Sequence, residues 1–329
     1  VIMSRDGPRV VETNFDTAAA GHERPDDLWR IAAELFQPGP DHLAEGRPLA
    51  GLRDWFVELC DGRPRHFHWM MKDDPATRRE LAPVLDFLNR DAGPARHSIH
   101  YAGDDPSGVF PDDRPGMLHR ACSIFTVNRD RERFAALLHR IGTIAPECTV
   151  PSTLSVLSSK LFLAWLSDPA AWPAGLTPAQ ADAVDRLVPW TRAVPLLAPD
   201  ELDRIRDHPG RYVLKKADSH QGVDVHFGWD VPAGRWSGLL AECRADPMTW
   251  VVQERVRPRP YELTEYTDAG VVTRRTGLSC CPYLIGGRLR GLETWLVPAR
   301  PNRSMLTRMH FVPHFVRSEP AGRSWTPAG

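Results

Sequence analysis

The chain has almost no net charge. Its 329 residues carry 41 Lys and Arg against 42 Asp and Glu, a formal charge of −1. Without a global positive field there is no electrostatic footprint for nucleic acid, and no nucleic-acid partner is expected. No apolar run is long enough to span a bilayer and no signal-peptide pattern opens the chain, so no membrane partner is expected either. The six cysteines (Cys60, Cys122, Cys148, Cys243, Cys280 and Cys281) include no CxxC pair. Adjacent Cys280 and Cys281 would point to opposite faces of a strand. A disulfide framework is therefore not implied, and a reducing, cytoplasmic setting is expected. Internal repeats are absent. No GxGxxG follows a strand pattern, which counts against an NAD-dependent oxidoreductase.

What is present suits a folded protein of two or three domains: 42% of residues are apolar and 25% charged. Basic clusters such as RDRERF at 129–134 mix with acids at helical spacing and read as a solvated helix face. Val1-Ile2-Met3 reads as a strand already under way, Asp6-Gly7 as a turn, and residues 9–14 as the return strand. A chain that opens in mid-strand leads us to expect further residues upstream. From 21 to about 150, helical patterns (26–36, 55–59, 78–89, 131–141) alternate with strand patterns (66–71, 98–102, 122–127). That alternation predicts a parallel, doubly wound sheet. Beyond Pro151 the pattern changes. Leu154, Leu157, Leu161 and Trp165 form a stripe that predicts one helix over 152–166. A second helix follows over 178–190, then a hairpin at 211–228, a short helix at 237–245 and a strand at 249–256. Residues 262–297 read as antiparallel strands with Gly turns. The expected fold class is α/β plus α+β. The expected division is 21–150 as an α/β domain and 151–329 as a second domain, to which the hairpin of 1–20 belongs.

Several short stretches carry candidate chemistry. On a strand, Glu12 and Asn14 would share a face, and their hard oxygens suit Mg²⁺. Lys215 and Lys216 end an apolar run, so alternation sends them to opposite faces, and one can serve a phosphate as a point charge. Gly222 lets a backbone approach a ligand closely. Gln253-Glu254 ends a hydrophobic strand and could face an adenine and its ribose. Lys160 interrupts an apolar helical stripe, where a snorkelling side chain is the plain reading. His66 and His68 share a strand face at metal-ligand spacing. No third ligand is evident, so they are read as ordinary strand histidines. Cys280-Cys281 is read as part of a packed strand.

Taken together and in this order, DGPRVVETNFDT (6–17), PSTLSVLSSKLFLAWLSD (151–168), YVLKKADSHQGVDVHFG (212–228) and TWVVQERV (249–256) resemble the ATP-grasp superfamily. The form resembled is the circularly permuted one related to glutathionylspermidine synthetase, in which the metal-binding ExN comes first. The resemblance implies an ATP-grasp fold with a Rossmann-like α/β pre-ATP-grasp domain. It also implies a ligase that uses ATP and Mg²⁺ to join a small-molecule carboxylate to an amine through an acylphosphate. On this basis Lys160 and Lys215 would contact the ATP phosphates, and Gln253, Glu254 and Val256 would meet the base. Glu12 and Asn14 would hold Mg²⁺, with a further acid expected at or just before Val1. Ser219, His220, Gln221 and Gly222 would close over the phosphates, and Asp16 and Thr17 would face the substrate. The pattern departs from the family in three places. Lys216 stands where relatives have proline, the loop DSHQG has one glycine, and Glu293, Thr294 and Trp295 stand where relatives often carry an arginine. These departures keep a nucleotide-binding module without turnover as the rival function.

Overall fold

The computed structural model describes residues 1–15, 23–36, 42–43, 47–90, 93–102, 114–219, 222–246, 249–267, 270–298, 310–312 and 316–317. Two compact units emerge. The first comprises Val1–Asp16, Pro151–Cys280 and Trp295–His310; the second comprises Thr17–Val150, Cys281–Thr294 and Phe311–Gly329.

The second unit is built on a parallel sheet of four strands, in the order Ala95–Ala102, Arg65–Lys72, Met117–Arg120 and Glu147–Cys148. Burial on both sides explains the strand Arg65–Lys72, whose residues 66–71 are all buried. Helices Pro48–Cys60, Pro75–Arg90 and Arg131–Ile144 supply Leu52, Phe56, Leu81, Val84, Leu88, Phe134 and Ile141 to its core. The stretch 122–127, expected as a strand, is not one. The strand ends at Arg120, and the backbone N–H groups of Thr126 and Val127 both donate to Ser123 O, which opens the helix Ile124–Arg129. A short apolar run cannot by itself separate the two states.

The first unit holds an antiparallel sheet in the order Val225–Phe227, Tyr212–Lys216, Trp250–Glu254 and Thr191–Ala193. Its register sorts the side chains into two faces. Tyr212, Leu214 and Val252 pack with Ile205 from helix Pro199–Asp207 and with Trp236, Leu239, Leu240 and Cys243 from helix Ala233–Ala245. Val213, Lys215, Val225, Phe227, Val251, Gln253, Thr191 and Ala193 occupy the other face. Gly228 follows the last of these strands where a Cβ would overlap the Pro209 carbonyl, so only glycine fits.

Another sheet gathers the two ends of the chain. Strand Gly270–Ile285 pairs with Tyr261–Thr267 and lies between Arg288–Val297 and the opening hairpin, Ile2–Ser4 with Gly7–Arg9. Ile2 pairs with Ser279, and Gly7 takes the positive φ that the Asp-Gly turn requires (φ 103°). The return strand is shorter than expected. It ends at Arg9, and residues 10–15 belong to no strand. Their polar groups go elsewhere: Val10 N–H donates to Leu187 O, Thr13 Oγ1 to Leu157 O, and Phe15 N–H to Ser158 Oγ.

Candidate functional site

Residues 152–166 do not form one helix. A 3₁₀ turn (Ser152–Leu154) and a short helix (Ser155–Ser158) end at Ser159, whose backbone is extended (φ −67°, ψ 136°), and a new helix runs over Lys160–Leu166. The Lys160 N–H cannot bond within the new helix's first turn. It donates instead to Ala217 O, one residue past the strand that carries Lys215. This break sets Lys160 against the Lys215 strand rather than on a solvated stripe. Its side chain is only 4% exposed.

Four polar side chains meet there. Lys160 Nζ lies 3.3 Å from Glu12 Oε1 and donates to Ser219 O at 2.8 Å. Lys215 Nζ donates to Gln253 Oε1 at 2.7 Å and to Val11 O at 3.0 Å. Gln253 is held in turn: its Nε2 donates to Thr191 Oγ1 at 3.1 Å, and Thr191 Oγ1 donates to Pro189 O at 2.8 Å. That chain fixes the amide's orientation, so its carbonyl oxygen faces the lysine. Two ammonium groups thus converge with one carboxylate in direct contact. Among the described residues, the hydrogen-bond acceptors of Lys215 are neutral oxygens. Burial holds its pKa down, from 10.5 to about 8; nearby Lys160 acts in the same direction, and Glu12 opposes them. The cluster suits an incoming anion, which would add the negative charge that Lys215 lacks.

The other expected residues are more scattered. Lys216 lies on the opposite face from Lys215, paired across from Trp250. Glu254 likewise faces away from Gln253 and reaches Arg211 at 3.4 Å, and Val256 lies just beyond the strand end, half-buried. Asn14 is exposed, two residues from Glu12 on a stretch without a ladder. Ser219 Oγ donates to Val223 O at 2.8 Å, and Gly222 sits at φ 70° in the turn beyond it. Asp16, Thr17, His220 and Gln221 lie outside the described residues. Among the described residues no group of three or more His, Cys, Asp or Glu side chains is placed to hold a metal ion. His66 and His68 are buried in the second unit, where His66 Nε2 meets Ser98 Oγ at 2.9 Å and His68 Nδ1 meets His100 Nε2 at 2.9 Å. All six cysteines are free. Glu293 and Thr294 are buried. No helix among the described residues is long and apolar enough to cross a membrane.

Sequence reasoning missed Thr191 and the Val11 carbonyl, because both enter through pairing between distant segments. One signal was within reach. The chain has only four lysines, Lys72, Lys160, Lys215 and Lys216, so arginine supplies nearly all its basic charge. Lysine at 160 and 215 is therefore unusual for this chain, and these two meet.

No family model matches the chain, and no curated protein does. Among solved structures it is similar to the D-cycloserine synthetase DcsG, at 15% identity and a TM-score of 0.34 over 73% of this chain and 78% of that one. It is also similar to D-alanyl-alanine synthetase A from Vibrio cholerae, at 10% identity and a TM-score of 0.32 over 66% of this chain and 67% of that one. Likenesses at that level carry no functional argument.

Proposed function

We propose that this chain is an ATP- and Mg²⁺-dependent ligase that joins a small-molecule carboxylate to an amine, organised as an ATP-grasp protein in circularly permuted order. The observation that carries the reading is the convergence of Lys160, Lys215 and Glu12. Lys215 Nζ reaches the carbonyl of Val11, 204 residues away in sequence and next to Glu12, while Lys160 Nζ pairs with Glu12 itself. The opening hairpin supports a permuted order, since it completes a sheet otherwise made of C-terminal strands.

The residues present fit the nucleotide. Two ammonium groups with one contacting carboxylate favour a polyphosphate, and Gln253 and Thr191 hold Lys215 in place to meet it. They also fit a metal in part. Mg²⁺ takes one or two protein carboxylates and completes its shell with water and phosphate oxygens, and Glu12 with Asn14 would be the protein's share. Bound ATP would supply the phosphoryl group that activates the carboxylate, while Mg²⁺ would offset phosphate charge. The protein's own part is positioning and charge neutralisation by Lys160 and Lys215. Ser219, tied through its carbonyl to Lys160, links the adjoining loop to the same site. Glu254 and Val256 are assigned to the base, His220, Gln221 and Gly222 to the phosphate cover, and Asp16 and Thr17 to the substrate end.

A binding module without turnover is the second reading. The Glu12–Lys160 ion pair favours it, because each group already has a partner within the protein. One experiment addresses both. Amino acids, small peptides and polyamines are screened for substrate-dependent ADP release, with hydroxylamine as a surrogate amine. ADP and a hydroxamate are expected. AMP and pyrophosphate would overturn the mechanism, and ATP binding with no ADP under any pairing would select the binding module.

A further inference from the structure

A cavity of about 1080 Å³ lies within the first unit; Glu254 and Val256, assigned above to the base, line one part of it, and Lys160 and Lys215 do not line it. We propose that its arginine-lined part is a second binding site, for a small molecule carrying two or more negative charges. Arg5, Arg9, Arg257 and Arg275 line it. Among the described residues none of these four guanidiniums has an ion pair or a side-chain hydrogen bond. Arg211, by contrast, pairs with Glu254 of the same lining at 3.4 Å. In a chain whose charges balance, four uncommitted arginines around one space are a local surplus. The cavity's acids do not cancel it. Glu254 is engaged by Arg211, and neither Asp6 nor Asp185 comes within ion-pair distance of the four.

The arginines come from separate segments that backbone hydrogen bonds tie together. Arg5 and Arg9 belong to the opening hairpin, Arg257 comes after the Trp250–Glu254 strand, and Arg275 lies on Gly270–Ile285. Arg259 N–H donates to Met3 O at 2.8 Å, Ser4 forms an isolated bridge with Pro258, and Val10 N–H donates to Leu187 O at 2.7 Å. The guanidinium groups therefore sit on backbone whose spacing is set before any ligand arrives. Guanidinium forks bind carboxylates and phosphates through paired hydrogen bonds, and the space is large enough for a metabolite-sized ligand. The shared chemistry is a compact polyanion, either a phosphate ester or a polycarboxylate.

Calorimetric titration of the full chain at constant ionic strength, with pyrophosphate in one arm and citrate in the other, tests the site. Saturable binding of at least one probe is expected, and the tighter one identifies the anion class. The double variant Arg257→Gln/Arg275→Gln should weaken that binding by about tenfold or more, since hydrogen bonds to charged groups are lost. Both arginines are exposed, so the fold should be retained, which circular dichroism checks. Asp185→Asn should tighten binding by about two- to threefold, as removal of a partly screened like charge does. Lys215→Ala should leave citrate binding unchanged. Saturation by neither probe, equal binding by wild type and the arginine double variant, or loss in Lys215→Ala alone would each overturn the proposal.

Discussion

Replacing Lys215 by alanine, with Lys216→Ala as its internal control, probes the site most directly. The two side chains are adjacent in sequence, but the register of Tyr212–Lys216 against Trp250–Glu254 sends them to opposite faces of the sheet. Lys215 Nζ donates to Gln253 Oε1 (2.7 Å) and Val11 O (3.0 Å), both neutral acceptors that a phosphate oxygen would outcompete. A charged hydrogen bond of this kind contributes ~1.5–3 kcal/mol. Its loss should raise the Kd for ATP by about 10- to 150-fold. Lys216 lies on the other face of the sheet, so its truncation should change that Kd by less than about threefold. Titration calorimetry with ATP in excess Mg²⁺ reads both. Truncation at 215 also strands the Gln253 and Val11 oxygens, a penalty of about 1–3 kcal/mol that the relief of a buried charge partly offsets. Denaturant unfolding of both variants separates folding from binding. Equal loss of affinity at the two positions would refute the reasoning, because no strand geometry puts both ammonium groups into one cleft.

Three further outcomes rest on the same packing. Lys215 is protonated in both folded and unfolded states below about pH 8. Between about 8 and 10.5 the folded state has released the proton that the unfolded state still holds. Stability should therefore rise with pH across that window, by no more than about 3 kcal/mol, and the rise should vanish in Lys215→Met; identical pH slopes in urea unfolding would contradict it. Glu12→Gln should raise the Mg²⁺ concentration needed for ATP-dependent ADP release, because a hard cation loses a charged oxygen; an unchanged requirement would remove Glu12 from the metal site. Leu214→Ala, fully buried between the sheet and its two helices, should cost about 2–5 kcal/mol in denaturant unfolding; a loss below about 1 kcal/mol would mean that this core repacks.

Local periodicity carried much of the architecture. The alternation of residues 26–150 indicated a parallel sheet with helices, and the apolar strand with its Gly-containing turn indicated the hairpin from Tyr212 to Phe227. The errors occurred where a distant partner decided the outcome. One unbroken helix was expected over 152–166. The helix breaks at Ser159 because the Lys160 N–H is taken by Ala217 O. A strand was expected through Asn14. It stops at Arg9 because Leu187, Leu157 and Ser158 claim the next groups along the chain. Within Gln253-Glu254 the register adds a detail: successive strand residues face opposite ways, so Gln253 meets Lys215 and Glu254 reaches Arg211.

The sequence by itself determined the class of elements, the balance of charge and the opposed faces of Lys215 and Lys216. Each of these comes from composition or from the fixed periods of strand and helix. Only the tertiary structure decided that Lys160 is buried, that Glu12 sits beside it, and that four arginines with no ion pair among the described residues line one cavity. The reason is physical. Those facts depend on hydrogen bonds and packing between segments more than a hundred residues apart, and the local pattern that specifies an element says nothing of the segment against which it will finally pack.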